Sequence, residues 1–281
     1  MICALRSSLF RLRRTGLLAK ILIFSVIVGI ILTINIGVAY YEILPFKRPR
    51  FLDQKFIGIA VLQLMYILPF ASSVFTTSFT GNDLSFRTIN NKVATGLSRV
   101  QVFLADLIVS VLATVIMFLT SVLIIFLYAR FYSVRSSIRY DDLVICVLLR
   151  ILIVSVAFTA FFNLLQFLFS NKFFGLVIAF AFIPALIFIS GFYQDKLNQP
   201  YRYKVINEET KQEEWVLNPE YVSGTPRKIL VFLSETAPFT FTDSLEAKPE
   251  KITSNVAIAA GTVVAVSTAA GIAAIKKKEL S

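Results

Sequence analysis

Residues 80–107 form a polar segment between two apolar stretches, and its side chains could support specific recognition. Phe86, Ile89 and Val93 recur at intervals of three and four residues, as they would on one face of a short helix. The carboxylate of Asp83 is a suitable N-cap for that helix. An apolar ridge of this kind can dock into a groove of a partner protein. The segment therefore predicts binding chemistry rather than covalent catalysis.

The same segment carries signals for where its helix stops. Gly96 predicts the end of the short helix, and Ser98 predicts the N-cap of the next one.

The polar segment 80–107 has a second interpretation, in which it lies on the lipid surface. Arg87 and Lys92 would then bind lipid phosphates while the apolar ridge dips among the headgroups.

Several catalytic chemistries are excluded by residues that the sequence lacks. The chain has no histidine, which removes imidazole bases, histidine zinc sites and histidine proton relays. It also has no P-loop string GxxxxGK[ST] and no nucleophile elbow. Its two cysteines, Cys3 and Cys146, are too far apart in the expected topology for a disulfide. We expect no catalytic residue, metal site or cofactor in this chain, and hence no enzyme.

Four polar residues lie within long apolar stretches, where such residues are often functional. Asp106 and Arg150 stand near the ends of their stretches, so we expect them to reach the membrane interface. Asn163 and Gln166 lie deeper and share one helix face at positions i and i+3. They predict either hydrogen bonds between helices or a place on a translocation path.

The elements that must position these residues are membrane helices. The chain has 281 residues, of which 57% are apolar and 16% charged, so it carries more apolar surface than one soluble core could bury. A helix needs about 20 apolar residues to cross a bilayer, and isolated strands cannot cross it. Six segments satisfy that length: 17–40, 56–79, 100–129, 143–170, 173–192 and 254–275. The predicted fold class is an all-α polytopic membrane protein with six transmembrane helices.

Basic residues between the spans predict the orientation of the chain. If residue 1 is cytoplasmic, twelve Lys and Arg residues lie on the cytoplasmic side and seven lie in the short loops opposite. The positive-inside rule favours that orientation. The predicted organisation is a cytoplasmic amphipathic arm at 1–16, five spans within 17–192 with a cytoplasmic loop at 80–99, an extracellular segment at 193–253, a sixth span at 254–275 and a cytoplasmic tail at 276–281.

The net charge of +11 does not indicate nucleic-acid binding. The segment 193–253 holds eight basic and ten acidic residues, so the positive excess lies at the edges of the spans. Basic residues in those places orient helices and bind anionic lipid, and the chain has no soluble basic domain. We expect membrane lipid, and no nucleic acid, among the partners.

Three elements flank or end the set of spans. The arm MICALRSSLFRLRRTG predicts a basic helix at the cytoplasmic interface, because the apolar run after it is too long for a signal peptide. In the outer segment, Pro226 precedes a run of apolar residues and predicts a short amphipathic helix bounded by Pro238. The last span places Gly261, Ala265 and Ala269 at four-residue spacing, which predicts close packing of that face against another helix.

The segment TGNDLSFRTINNKVATGLSRVQVFLADL resembles a loop of ABC (ATP-binding-cassette) transporter permeases of the type-2, exporter-like class. In that family an acidic residue and a string GT(I/L)RNK(L/I)xxGxSRxxxxxxK precede the third membrane helix. The matching residues are Phe86, Arg87, Thr88, Ile89, Asn90, Asn91, Lys92, Gly96, Ser98 and Arg99, with Phe86 where glycine is commoner. The outer stretch from Asn218 to Pro238 and the basic close IKKKEL resemble antibiotic-export-like members of the class.

The resemblance implies a permease subunit in the cytoplasmic membrane of a bacterium. It would pair with a second permease chain, identical or homologous, and with ABC ATP-binding subunits that hold the ATP and Mg²⁺. The loop would transmit motion from the ATPase through a set of coupling residues: Asp83, Phe86, Arg87, Ile89, Asn90, Lys92 and Val93. Two other classes stay open, a non-transporting assembly factor or sensor that uses the outer segment, and an ion-coupled transporter.

Overall fold

The fold is taken from a computed structural model, which describes residues 1–43, 54–85, 88–132, 142–169, 171–206, 213–236 and 249–280. Phe86 and Arg87, two of the predicted coupling residues, lie outside the described residues. The elements in chain order are α1 (Ile2–Arg14), α2 (Leu17–Ile43), α3 (Gln54–Ser85), α4 (Thr88–Ala94), α5 (Arg99–Tyr132), α6 (Asp142–Phe169), α7 (Lys172–Asn198), β1 (Arg202–Ile206), β2 (Glu213–Leu217), α8 (Gly224–Thr236) and α9 (Pro249–Leu280).

Long apolar helices dominate the described residues. Five of them are long and apolar enough to cross a membrane: Ala60–Ser85, Arg99–Tyr128, Val144–Phe169, Lys172–Asn198 and Ser254–Lys276. A sixth candidate is the pair α1 and Leu17–Leu32, which are bent by 62° to each other. The structure is thus an all-α fold of the polytopic membrane type with five or six candidate spans. The count of six stays a prediction.

The helices pack as a bundle in which α3, α5 and α6 are central. α6 lies between α3 and α9, while α2 packs on α5 and α7 packs on α3. Small hydroxylated residues line these contacts, as expected where lipid supplies no hydrophobic drive between helices. Thr114 of α5 and Thr159 of α6 are hydrogen-bonded at 2.9 Å, and the Ser72 hydroxyl of α3 donates to the Ser155 carbonyl at 3.4 Å.

The polar segment after α3 differs from its prediction at the start and matches it at the end. α3 continues to Ser85, so Asp83 lies in the last turn of α3 and is not the N-cap of α4. Gly96 ends α4 with a φ of +92°, and its amide donates to the Val93 carbonyl at 2.9 Å. Ser98 caps α5 as predicted, because its hydroxyl accepts from the Gln101 amide at 3.2 Å.

Residues 193–253, the segment predicted to be extracellular and called the outer segment for that reason, contain a hairpin that the sequence did not predict. β1 and β2 pair antiparallel, with Arg202 opposite Leu217 and Ile206 opposite Glu213. The predicted amphipathic helix is present as α8 (Gly224–Thr236). Pro238, its predicted boundary, lies outside the described residues.

The last helix packs with a different face from the one predicted. Gly261, Ala265 and Ala269 are exposed within this chain. The face that packs against α6 and α5 instead includes buried residues such as Val256 and Gly271. The four-residue spacing of small residues marked a real stripe, but the stripe does not contact the rest of the described chain closely, since nothing lies within 4 Å of a Cβ added at Gly261.

Candidate functional site

Four charged side chains meet where α3 ends and α5 begins, and we call them the charge cluster: Arg11, Asp83, Lys92 and Asp106. The Asp83 carboxylate forms an ion pair with Arg11 and accepts a hydrogen bond from Lys92 Nζ at 2.8 Å. Asp106 Oδ1 lies 3.8 Å from Lys92 Nζ and 3.9 Å from Arg11 Nη2. Two cations thus face two carboxylates, so the cluster is formally neutral.

The charge cluster is closed off from solvent by α1. Asp106 is 0% exposed and Asp83 is 2% exposed. The Ser8 hydroxyl of α1 donates to Asp106 Oδ1 at 2.8 Å and accepts from Lys92 Nζ at 3.4 Å. The cluster therefore ties together four helices, α1, α3, α4 and α5, which the sequence separates by up to 98 positions.

Arg11 makes further contacts with the end of α3. Its Nη2 donates to the Phe79 carbonyl at 3.3 Å, and its guanidinium lies 3.8 Å from the centroid of the Phe79 ring. The flat guanidinium suits this combination of ring contact, hydrogen bond and ion pair better than an ammonium would. Arg11 consequently fixes α1 to the last turns of α3.

Burial shifts the acid–base behaviour of the two cations. Loss of solvent lowers the pKa of Lys92, Asp106 opposes that shift, and Arg11 adds to it. Burial also lowers the pKa of Arg11, again against the attraction of Asp106. Both cations are therefore held in place by the carboxylates beside them, and removing one carboxylate would leave buried positive charge without compensation.

The apolar side of α4 faces the bundle rather than a partner. Ile89 is buried against Val102 and Phe103 of α5 and Ile275 of α9, and Val93 packs on the same group. In this conformation Ile89 is not part of an outward ridge and Val93 is partly buried beside it, because this end of the bundle offers apolar surface that they cover. Their role in coupling stays a prediction. Phe86, the third ridge residue, lies outside the described residues.

The exposed side of α4 is polar and small. Asn90, Asn91 and Ala94 are exposed, while Lys92 points into the charge cluster. Of the predicted coupling residues, Asp83 and Lys92 thus belong to the charge cluster. Ile89 and Val93 lie on the side of α4 that faces the bundle. Asn90 is the one of the described five that lies on the free surface of α4.

Asn163 and Gln166 lie between α3, α6 and α7. Both are 0% exposed, and Asn163 Oδ1 accepts from the Thr80 hydroxyl at 3.0 Å. The Gln166 amide has no hydrogen-bond partner among the described residues. It packs against Gly175 of α7, where an added Cβ would lie 2.2 Å from Gln166 Oε1. In this conformation Asn163 and Gln166 lie in contacts between helices, one of the two predicted roles. A role on a translocation path stays a prediction.

Two charged residues expected at the membrane interface are buried by protein, and their depth in the membrane stays a prediction. Asp106 is covered by α1, and Arg150 is 7% exposed within α6. The sequence analysis did not identify Ser8 and Arg11 as members of the site. The pattern of α1 does place Ser8 and Leu12 on the helix face opposite Phe10, which indicates that this face is buried. It does not show which residues of the other helices contact that face.

A separate apolar cavity of about 250 Å³ lies between α6, α7 and α9. Phe158, Phe161 and Phe182 are among its lining residues, which are all apolar. It can hold an apolar group but offers no polar side chain to orient one.

Comparisons with protein-family models, with curated proteins and with solved structures found no match to this chain.

Proposed function

We propose that the chain is the membrane-spanning permease subunit of an ABC transporter, which moves a substrate across the cytoplasmic membrane with ATP hydrolysed by separate subunits. The sequence resemblance at residues 80–107 names the class. The observation that carries the proposal is the way α4 is fastened to the bundle. Lys92 binds Asp83 at the end of α3, and Ile89 packs on the first turns of α5.

Fastening at two points makes α4 a transmitting element. A load on the exposed face of α4 passes through Lys92 to α3 and through Ile89 to α5, because close-packed interiors transmit strain. When two ATP-binding subunits close around ATP, they would push α4 and shift these two helices together. Alternating access then follows from two packings of the bundle.

The surface that meets the ATP-binding subunit is the exposed face of α4. Asn90, Asn91 and Ala94 present small and amide side chains there. Asn91→Trp should block docking, because a large ring clashes with a fitted partner but leaves the buried side of α4 unchanged. We expect co-purification with co-expressed ATP-binding subunits of the same genome to fall at least about tenfold.

Glu220→Trp is the matched control, since Glu220 is exposed in the outer segment. Both variants should keep the thermal stability of the parent chain, and only Asn91→Trp should lose the ATPase and transport. Full ATPase binding and transport by Asn91→Trp would rule out this face as the coupling surface. The pure chain alone should hydrolyse no ATP.

A second candidate is a non-transporting assembly factor or sensor. It is favoured by the outer segment, which contains the β1–β2 hairpin and the helix α8, where Ile229 and Phe232 are 55% and 64% exposed. Exposed apolar side chains on a structured element suit recognition of another protein. Pull-down of an outer-surface protein without any ATP-binding subunit would favour this candidate over the permease.

A further inference from the structure

α1 has an outward face that combines basic and apolar side chains. Ile2 and Phe10 are 75% and 62% exposed, and Arg6, Arg13 and Arg14 are exposed with them. Ile2, Arg6, Phe10 and Arg13 follow one another at four, four and three positions, so they lie along one stripe of the helix. α1 contains no acidic residue. None of the three arginines has an acidic partner among the described residues.

The chain turns sharply between α1 and α2. Gly16 adopts a φ of +66°, and α1 is bent by 62° from Leu17–Leu32. Since α2 has 27 residues, it is about 40 Å long and can cross a bilayer without α1. α1 then lies across the ends of α3 and α5, where Arg11 and Ser8 contact them.

We propose that the outward face of α1 binds the headgroups of anionic phospholipids, and that this binding holds α4 in place through the charge cluster. The exposed phenylalanine and isoleucine suit insertion at the acyl boundary, and the arginines beside them suit phosphate oxygens. Each arginine near an anionic membrane strengthens binding roughly fivefold.

The opposite face of α1 provides the link to α4. Ser8 donates to Asp106, and Arg11 pairs with Asp83, which in turn accepts from Lys92 of α4. If α1 leaves the membrane surface, Arg11 and Ser8 leave the cluster and water reaches it. The pairs of Lys92 with Asp83 and Asp106 are then screened by solvent and hold α4 less firmly. This inference rests on the proposed function at one point, the coupling role of α4. The binding of α1 to lipid does not depend on it.

The test uses the full chain in lipid nanodiscs, with no ATP-binding subunit present. Cys146→Ser leaves Cys3, which is exposed on α1, as the one site for an environment-sensitive fluorophore. Nanodiscs of phosphatidylcholine are compared with nanodiscs that also contain phosphatidylglycerol. We expect phosphatidylglycerol to shift the Cys3 probe emission to the blue and to slow hydrogen exchange of the α4 amides several-fold.

Two sets of variants separate the surface from the link. Replacing Arg6, Arg13 and Arg14 by Gln should abolish both responses to phosphatidylglycerol. Arg11→Gln should keep the Cys3 response and lose the α4 response, and Ser8→Ala, a milder change, should weaken the α4 response in the same direction. The matched control replaces three exposed cations of the outer segment by Gln and should change neither response: Arg202, Lys204 and Lys228.

Each contrary result overturns a stated part of the proposal. An identical Cys3 signal in both lipids would refute the lipid surface. A Cys3 response with unchanged α4 exchange would refute the link through the cluster. A Cys3 response that appears only when ATP-binding subunits are added would make the face a protein-docking surface. Because the two lipid comparisons contain no ATP-binding subunit, the first two failures do not bear on whether the chain is a permease.

Discussion

At the scale of single residues, the stability of the charge cluster depends on equal numbers of buried positive and negative charges rather than on any one ion pair. Lys92→Met leaves Asp106 and Asp83 with only Arg11 near them, and Asp106→Asn leaves an excess cation. Removing one partner of a buried ion pair commonly costs about 3 kcal/mol, because the other charge stays buried without compensation. We expect each single variant to unfold at lower temperature in detergent.

The double variant Lys92→Met with Asp106→Asn restores neutrality around the remaining Arg11 and Asp83 pair. It should be more stable than the sum of the two single losses predicts, and the double-mutant cycle measures that difference. Lys196→Met is the control, since Lys196 and Glu220 pair at 3.3 Å on the surface. Its loss should stay below about 1 kcal/mol. Additive losses in the double variant would show that the cluster is not a balanced unit.

At the scale of elements, close helix contacts depend on individual glycines. A Cβ at Gly271 of α9 would lie 2.4 Å from the ring of Phe103, which is itself 0% exposed and packed edge-on against Phe167. Gly271→Ala should therefore push α9 away from α5 and cost about 1–3 kcal/mol in thermal unfolding of the detergent-solubilised chain.

Gly261→Ala on the same helix is the matched control for Gly271→Ala. Nothing lies within 4 Å of a Cβ added at Gly261. The change should be neutral or stabilise by up to about 1 kcal/mol, since alanine favours helix over glycine. Equal losses in the two variants would mean that the contact between α9 and Phe103 does not limit stability.

The elements themselves were largely predictable, because lipid permits few solutions. All six predicted spans begin and end within about six residues of a helix: α2, α3, α5, α6, α7 or α9. α3 ran beyond its prediction because the sequence predicts a helix end where polar residues begin. Asp83 can remain helical there, since Arg11 and Lys92 neutralise it inside the protein.

The candidate site was only half predictable. Asp83 and Lys92 were found from a local motif, but Ser8 and Arg11 meet Asp106 across a long separation in the chain. Periodicity shows which face of α1 is buried and not which helix covers it. The sequence could not show for the same reason that Ile89 packs inward. An apolar face on a short helix can pack against a partner protein or against the end of its own bundle.

At the scale of the whole molecule, the remaining prediction is that both ends of the chain are cytoplasmic and that the outer segment between α7 and α9 is outside. The excess of basic residues beside α1, α4 and α9 supports this orientation by the positive-inside rule. Cys3 on α1 and a cysteine introduced as Glu220→Cys are both exposed and lie on opposite sides in this topology. An impermeant thiol reagent should label Glu220→Cys in intact cells when Cys3 and Cys146 are replaced by Ser. The chain with Cys146→Ser should be labelled at Cys3 only after lysis. The opposite labelling pattern would show that the topology is inverted. α4 and the charge cluster would then lie outside the cell, where a cytoplasmic ATPase could not contact them.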